Sequence, residues 1–125
     1  MACDRSKCRD QTNRLIRQST QRGLREANII LGHMGGYFHV EEAIEVATRL
    51  PNVYLETSAM PYPGMIRRAV DAVGAERVLF ASDGPGCLPS LEVHKVRLAG
   101  LTAAEAQRVF ADNILELLDR VVATP

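Results

Sequence analysis

The sequence predicts an α/β domain built on a parallel sheet, and three observations carry that prediction. Three short runs rich in β-branched, aromatic or leucine residues begin about 25 residues apart: Asn28-Ile29-Ile30-Leu31-Gly32, Asn52-Val53-Tyr54-Leu55-Glu56-Thr57 and Arg77-Val78-Leu79-Phe80-Ala81. Helical periodicity fills both gaps, and a strand–helix–strand–helix–strand order requires crossover connections and hence parallel strands. The first and third runs are followed by turn-forming segments that each carry one chemically versatile side chain, His33 in Leu31-Gly32-His33-Met34-Gly35-Gly36 and Asp83 in Phe80-Ala81-Ser82-Asp83-Gly84-Pro85.

Taken in order, residues 1–10 read as disordered and residues 11–125 as a single domain. Residues 12–26 contain few helix breakers, but Leu15, Ile16 and Leu24 are too sparse for a strong apolar stripe. After the first strand, Val40, Ala43, Ile44, Ala47 and Leu50 recur at three- and four-residue steps while Glu41, Glu42, Glu45 and Arg49 fall elsewhere; Pro51-Asn52 ends that helix. Met65, Ile66, Ala69, Val70 and Val73 make a second stripe, begun near Pro63-Gly64 and stopped at Gly74. The tail is helical. A shorter helix falls around Leu91–Leu98, and Thr102-Ala103-Ala104-Glu105 is a capping-box sequence. Asp112 or Asn113 is placed to open a further helix through Ile114, Leu115, Leu117, Leu118, Val121 and Val122.

Composition narrows the function classes. A chain of 125 residues with 46 % hydrophobic and 24 % charged residues suits one core. Fifteen basic residues balance fifteen acidic ones, which argues against nucleic acid or an anionic membrane as a partner. The local excess in residues 1–26, where Arg5, Lys7, Arg9, Arg14, Arg17, Arg22 and Arg25 face Asp4, Asp10 and Glu26, reads as a solvated segment. No apolar stretch approaches the ~20 residues of a bilayer span. The N-terminus lacks the apolar core of a secretory signal, so a cytoplasmic location is expected. Cys3, Cys8 and Cys87 form no C-x-x-C pair, and neither a disulfide framework nor a zinc knuckle follows.

Parallel strands point one way, so His33 and Asp83 belong to the same rim, two interstrand spacings of ~4.8 Å apart in an open sheet. A metal ion or a substrate bridging them is one reading. The other is structural: a histidine packed in a glycine-rich turn, and an aspartate accepting backbone N–H bonds before Gly84-Pro85. The spacing Gly32-x-x-Gly35-Gly36 is neither a dinucleotide fingerprint nor a Walker loop. Tyr37, Phe38, Met60, Tyr62 and Cys87 follow strand ends and are candidates to line a pocket.

Four segments in order, Ile29–Gly36, Pro51–Ser58, Gly74–Pro85 and Asn113–Leu118, resemble the C-terminal part of the amidohydrolase superfamily, in particular the branch that includes aminocarboxymuconate-semialdehyde decarboxylase. The resemblance implies a partial TIM (β/α)8 barrel whose three parallel strands are the sixth to eighth, and a divalent metal, usually zinc, at the C-terminal rim of the complete fold. It implies that His33 corresponds to a sixth-strand histidine that orients or polarises substrate. It implies that Asp83 corresponds to an eighth-strand aspartate that binds metal and accepts a proton from metal-bound water. The family's first-strand His-x-His pair and fifth-strand histidine have no counterpart; His39 and His94 are not at strand ends and read as structural or solvated.

A full barrel needs ~250 residues, so three units amount to roughly three-eighths of one. The expectation is therefore a C-terminal portion of a metal-dependent hydrolase or non-oxidative decarboxylase acting on a small-molecule carbonyl or carboxylate substrate, catalytically incomplete alone. The rival is a non-catalytic half-barrel, an interaction module or a remnant, that completes or binds another chain; the open sheet edges also favour self-association. A flavodoxin-like nucleotide binder shares the parallel sheet but would need a phosphate loop.

Overall fold

The computed structural model describes residues 27–36 and 38–122, so the expectations for residues 1–10 and for the weak pattern up to residue 26 lie outside the described residues. Strands β1 (Ile29–Leu31), β2 (Val53–Glu56) and β3 (Val78–Leu79) form one sheet in that order, with both pairings parallel. The register sets Leu31 beside Leu55 and Leu55 beside Val78. Because side chains alternate across a strand, this row and its neighbours Ile29 and Val53 share one face, while Ile30, Tyr54 and Leu79 take the other.

The first face holds the main core. Helix α1 (Val40–Arg49) buries Val40, Ala43, Ile44 and Ala47 against it, and α2 (Pro63–Val73) buries Ile66, Ala69, Val70 and Val73. Both stripes are those the periodicity predicts. Pro63 sits in the first turn of α2, where its missing N–H removes no helical bond. Gly74, at φ 86°, ends the helix by returning its N–H to the Val70 carbonyl at 2.9 Å. The opposite face is thinly covered: Tyr54 and Leu79 pack with Leu117 from the C-terminal helix, and Ile30 stays 47 % exposed.

The tail contains α3 (Pro89–Leu98), α4 (Ala103–Gln107), a π-turn over Arg108–Asp112 and α5 (Asn113–Val122). The capping box at Thr102 is formed, with Glu105 N donating to Thr102 Oγ1 at 3.2 Å and Thr102 N to Glu105 Oε2 at 2.8 Å. No fresh helix start occurs at Asp112 or Asn113, because the chain runs through the π-turn without leaving helical geometry. Asn113 serves tertiary structure instead. Its Nδ2, in a residue only 2 % exposed, donates to the carbonyl of Ala75 at 2.7 Å and to the buried carbonyl of Val78 at 2.9 Å, tying α5 to the start of β3.

Arg77 closes the same end of the sheet. Its guanidinium donates to Val73 O at 3.0 Å, Ala47 O at 2.6 Å and Leu50 O at 3.3 Å, gathering the C-termini of α1 and α2 around one cation. Among the described residues no helix is long and apolar enough to cross a membrane.

Candidate functional site at the carboxyl ends of the strands

Each strand is followed, at its carboxyl end, by a non-glycine residue in the left-handed region: His33 (φ 56°) and Met34 (φ 48°) after β1, Ala59 (φ 52°) after β2 and Asp83 (φ 48°) after β3. Such residues are uncommon and cost about 1 to 3 kcal/mol each, so they persist only where the surroundings hold them. Among the described residues their confinement to one rim marks it as the place where the fold tolerates strain.

After β1, the turn Gly32–Gly35 folds tightly onto the start of α1. A Cβ on Gly35 would lie 2.8 Å from the Ala43 Cβ, and the residue has φ 82°, so both space and backbone demand glycine. Met34 fills the core beneath, fully buried. His33 is thereby left on top, with its side chain 43 % exposed.

The His33 ring meets the residues after β2. Its Nδ1 lies 2.9 Å from Ser58 Oγ, 3.2 Å from Ser58 O and 3.9 Å from Glu56 Oε2. Glu56 collects three donors: its Oε2 accepts from Ser58 Oγ at 2.8 Å and from the His33 backbone N–H at 3.2 Å, and its Oε1 accepts a short bond from Ser58 N. The carboxylate joins the ends of β1 and β2.

A second set of bonds fixes the same loop from below. Lys95 and Glu92 of α3 form a buried ion pair; Lys95 Nζ also donates to Thr57 O at 2.7 Å, and Glu92 Oε2 accepts from Ala59 N at 3.2 Å. The backbone is held on both sides of Ser58. Neither pair was legible beforehand as part of a site. Glu56 and Ser58 stand in the resembling segment without an assigned role, although their position past a strand end was the available signal. Glu92 and Lys95 lie three apart on the helix expected around Leu91–Leu98, a spacing that carries no signal of a distant partner.

Asp83 stands apart. Strand β3 ends at Leu79; the next N–H, of Phe80, lies on the edge turned away from β2 and bonds Val109 O at 2.9 Å, and the chain runs on exposed through a cis Gly84-Pro85 peptide. Asp83 lies on the expected rim, but it is exposed, and its partners are local: its carbonyl accepts from Cys87 N at 3.0 Å and its Oδ2 lies 3.9 Å from Cys87 Sγ. No hydrogen bond or ion pair joins Asp83 to His33 among the described residues. The sequence expectation that one ligand bridges the pair therefore gains a shared rim but no direct link.

The other predicted residues sort by burial. His39 is at the N-cap of α1, where its buried Nδ1 has no hydrogen-bond partner, and His94 is exposed on α3. Met60 is fully buried and belongs to the core, whereas Phe38 and Tyr62 are exposed at 86 % and 57 %. Tyr37 lies outside the described residues.

The sequence profile of the Amidohydrolase family matches residues 2–120. The chain belongs to the amidohydrolase family. No curated protein matches. Amidohydrolases typically use divalent metals, and this chain's residues can be tested for a fit. Zinc takes three or four protein ligands, whereas among the described residues no three His, Cys, Asp or Glu side chains gather into a metal-binding group. The described residues do not make a self-sufficient amidohydrolase metal centre.

Proposed function

We propose that this chain carries part of an amidohydrolase-type site, one that hydrolyses or non-oxidatively decarboxylates a small carbonyl or carboxylate substrate once the missing metal ligands are supplied, and that it is inactive alone. On this reading the three strands are the sixth to eighth of a (β/α)8 barrel, in the branch resembling aminocarboxymuconate-semialdehyde decarboxylase. The observation that carries it is His33. The imidazole stands half-exposed at the carboxyl end of a parallel strand, where barrel enzymes place their chemistry, with one nitrogen held by Ser58. His33 orients a substrate oxygen or moves a proton there. Asp83, through its likeness to the family's last-strand aspartate, is the one residue of this chain assigned to a metal, zinc by family habit.

Metal analysis of the purified chain tests the incompleteness directly. Substoichiometric metal and no turnover are expected; stoichiometric zinc or manganese that is lost in Asp83→Ala, together with turnover, would overturn it. Co-expression with amidohydrolase barrel units bearing the His-x-His strand should give turnover that His33→Ala abolishes. A metal-loaded complex without turnover would count against the enzymatic reading.

A second reading, a non-catalytic module that binds a further chain or a second copy, draws on the exposed apolar residues Leu115, Leu118 and Val121 of α5 and Leu91 and Leu98 of α3. Sedimentation velocity checks it, since a monomer at every concentration, unaltered by barrel units, would remove its support.

A further inference from the structure

The His33 ring has two nitrogens, and the neutral side chain carries its proton on only one of them. All three oxygens around Nδ1 ask for that proton. Ser58 O is a carbonyl and Glu56 Oε2 a carboxylate oxygen, so neither has a hydrogen to give; Ser58 Oγ has one, but it lies 2.8 Å from Glu56 Oε2. If the serine hydroxyl turned toward Nδ1 instead, two contacts would become acceptor against acceptor: Nδ1 with Ser58 O at 3.2 Å and Ser58 Oγ with Glu56 Oε2 at 2.8 Å. With the proton on Nδ1, every contact in the cluster pairs a donor with an acceptor. Nε2 has no partner among the described residues.

We propose that Glu56 and Ser58 are positioning residues that lock His33 as the Nδ1–H tautomer, so that Nε2 presents its lone pair at the rim. Glu56 acts through Ser58: the carboxylate draws the hydroxyl hydrogen, which obliges Oγ to accept from the ring. The same carboxylate takes the His33 backbone N–H and so fixes the left-handed turn on which the ring stands. The Lys95–Glu92 pair holds the loop in which Ser58 sits, through Thr57 O and Ala59 N. Nε2 is then the atom that takes up a proton or holds a substrate hydrogen. This deepens the proposed function and rests on its assignment of His33 as the acting group.

The test is the imidazole tautomer, read by long-range proton–nitrogen correlation on the nitrogen-15-labelled chain at alkaline pH, where the ring is neutral. Wild type should show a pyrrole-type Nδ1 and a pyridine-type Nε2 for His33, assigned by the loss of its signals in His33→Ala. Glu56→Gln leaves one of the two carboxylate positions as an amide donor, frees the serine hydroxyl and should move the ratio toward the Nε2–H form that a free imidazole prefers. Ser58→Ala should move it the same way and by less, because the backbone carbonyl at residue 58 remains. A wild-type ring in the Nε2–H form overturns the proposal on its own. So does an unchanged ratio in either folded variant. Because neither substrate nor metal enters the measurement, absence of turnover and absence of the tautomer lock are separate results.

Discussion

The two ends of the three strands are built differently. At the amino end of β3 and the carboxyl ends of α1 and α2, Arg77 and Asn113 donate only to backbone carbonyls, and the one left-handed residue there, at the end of α2, is Gly74. At the carboxyl end of the strands, the left-handed positions fall to His33, Met34, Ala59 and Asp83, and Ser58, itself bonded to Glu56, bonds to a ring that keeps one nitrogen unpartnered among the described residues. One end spends its polar groups on closing the fold, whereas the other holds side chains in places that stability alone would not choose. That division is what barrel enzymes show between their two faces.

The rim endures its strain because α3 grips it from beneath, and removing that grip should have the largest effect. Lys95→Ala leaves Glu92 buried without its cation and frees Thr57 O, and should lower unfolding free energy by about 3 to 5 kcal/mol, measured by urea denaturation. Hydrogen exchange would show the amides of residues 57–59 opening first; protection there equal to wild type would break the link between α3 and the rim. Next, Asn113→Ala removes a donor from the buried Val78 carbonyl and one of two donors from the part-buried Ala75 carbonyl at the opposite end, and should cost about 2 kcal/mol. Asp83→Asn, at an exposed rim site where asparagine tolerates the left-handed region, should stay within about 0.5 kcal/mol of wild type. Equal losses in these two variants would erase the contrast between the ends.

Smaller effects sharpen the same contrast. Ala59→Gly removes the Cβ penalty of the left-handed conformation and should raise stability by about 1 kcal/mol, readable as a higher urea midpoint. A loss would mean that Ala59 is held by packing and not by strain. Away from both ends, the two-pronged Arg67 bond at 2.8 and 2.9 Å, aided by Thr102 N–H, draws the Glu105 carboxyl from 4.5 down to about 2. The folded value lies below the unfolded one, so this contribution is complete above pH 4.5 and disappears as pH falls toward about 2. It belongs to a surface pair and should be the smallest of the set. Glu105→Gln should flatten that part of the stability profile, and an unchanged profile would show that the pair contributes nothing.

The sequence determined the strand order, the two buried helix stripes and the capping box at Thr102, because periodicity and capping depend on residues three or four positions apart. It also placed His33 and Asp83 on one rim, since parallel strands leave no other choice. Glu56, Ser58, Glu92 and Lys95 escaped that reading, and Asn113 was expected to start a helix. Their partners lie 23 to 38 residues away, apart from bonds such as Ser58 to Glu56, and no local pattern announces which distant carbonyl or ring a side chain will meet. The folded chain decided that β3 would be only two residues long and that the polar contacts of Asp83 would be with Cys87 and not with His33. Only the tertiary structure could decide which nitrogen of His33 is occupied, because that depends on three oxygens that folding brings to one atom.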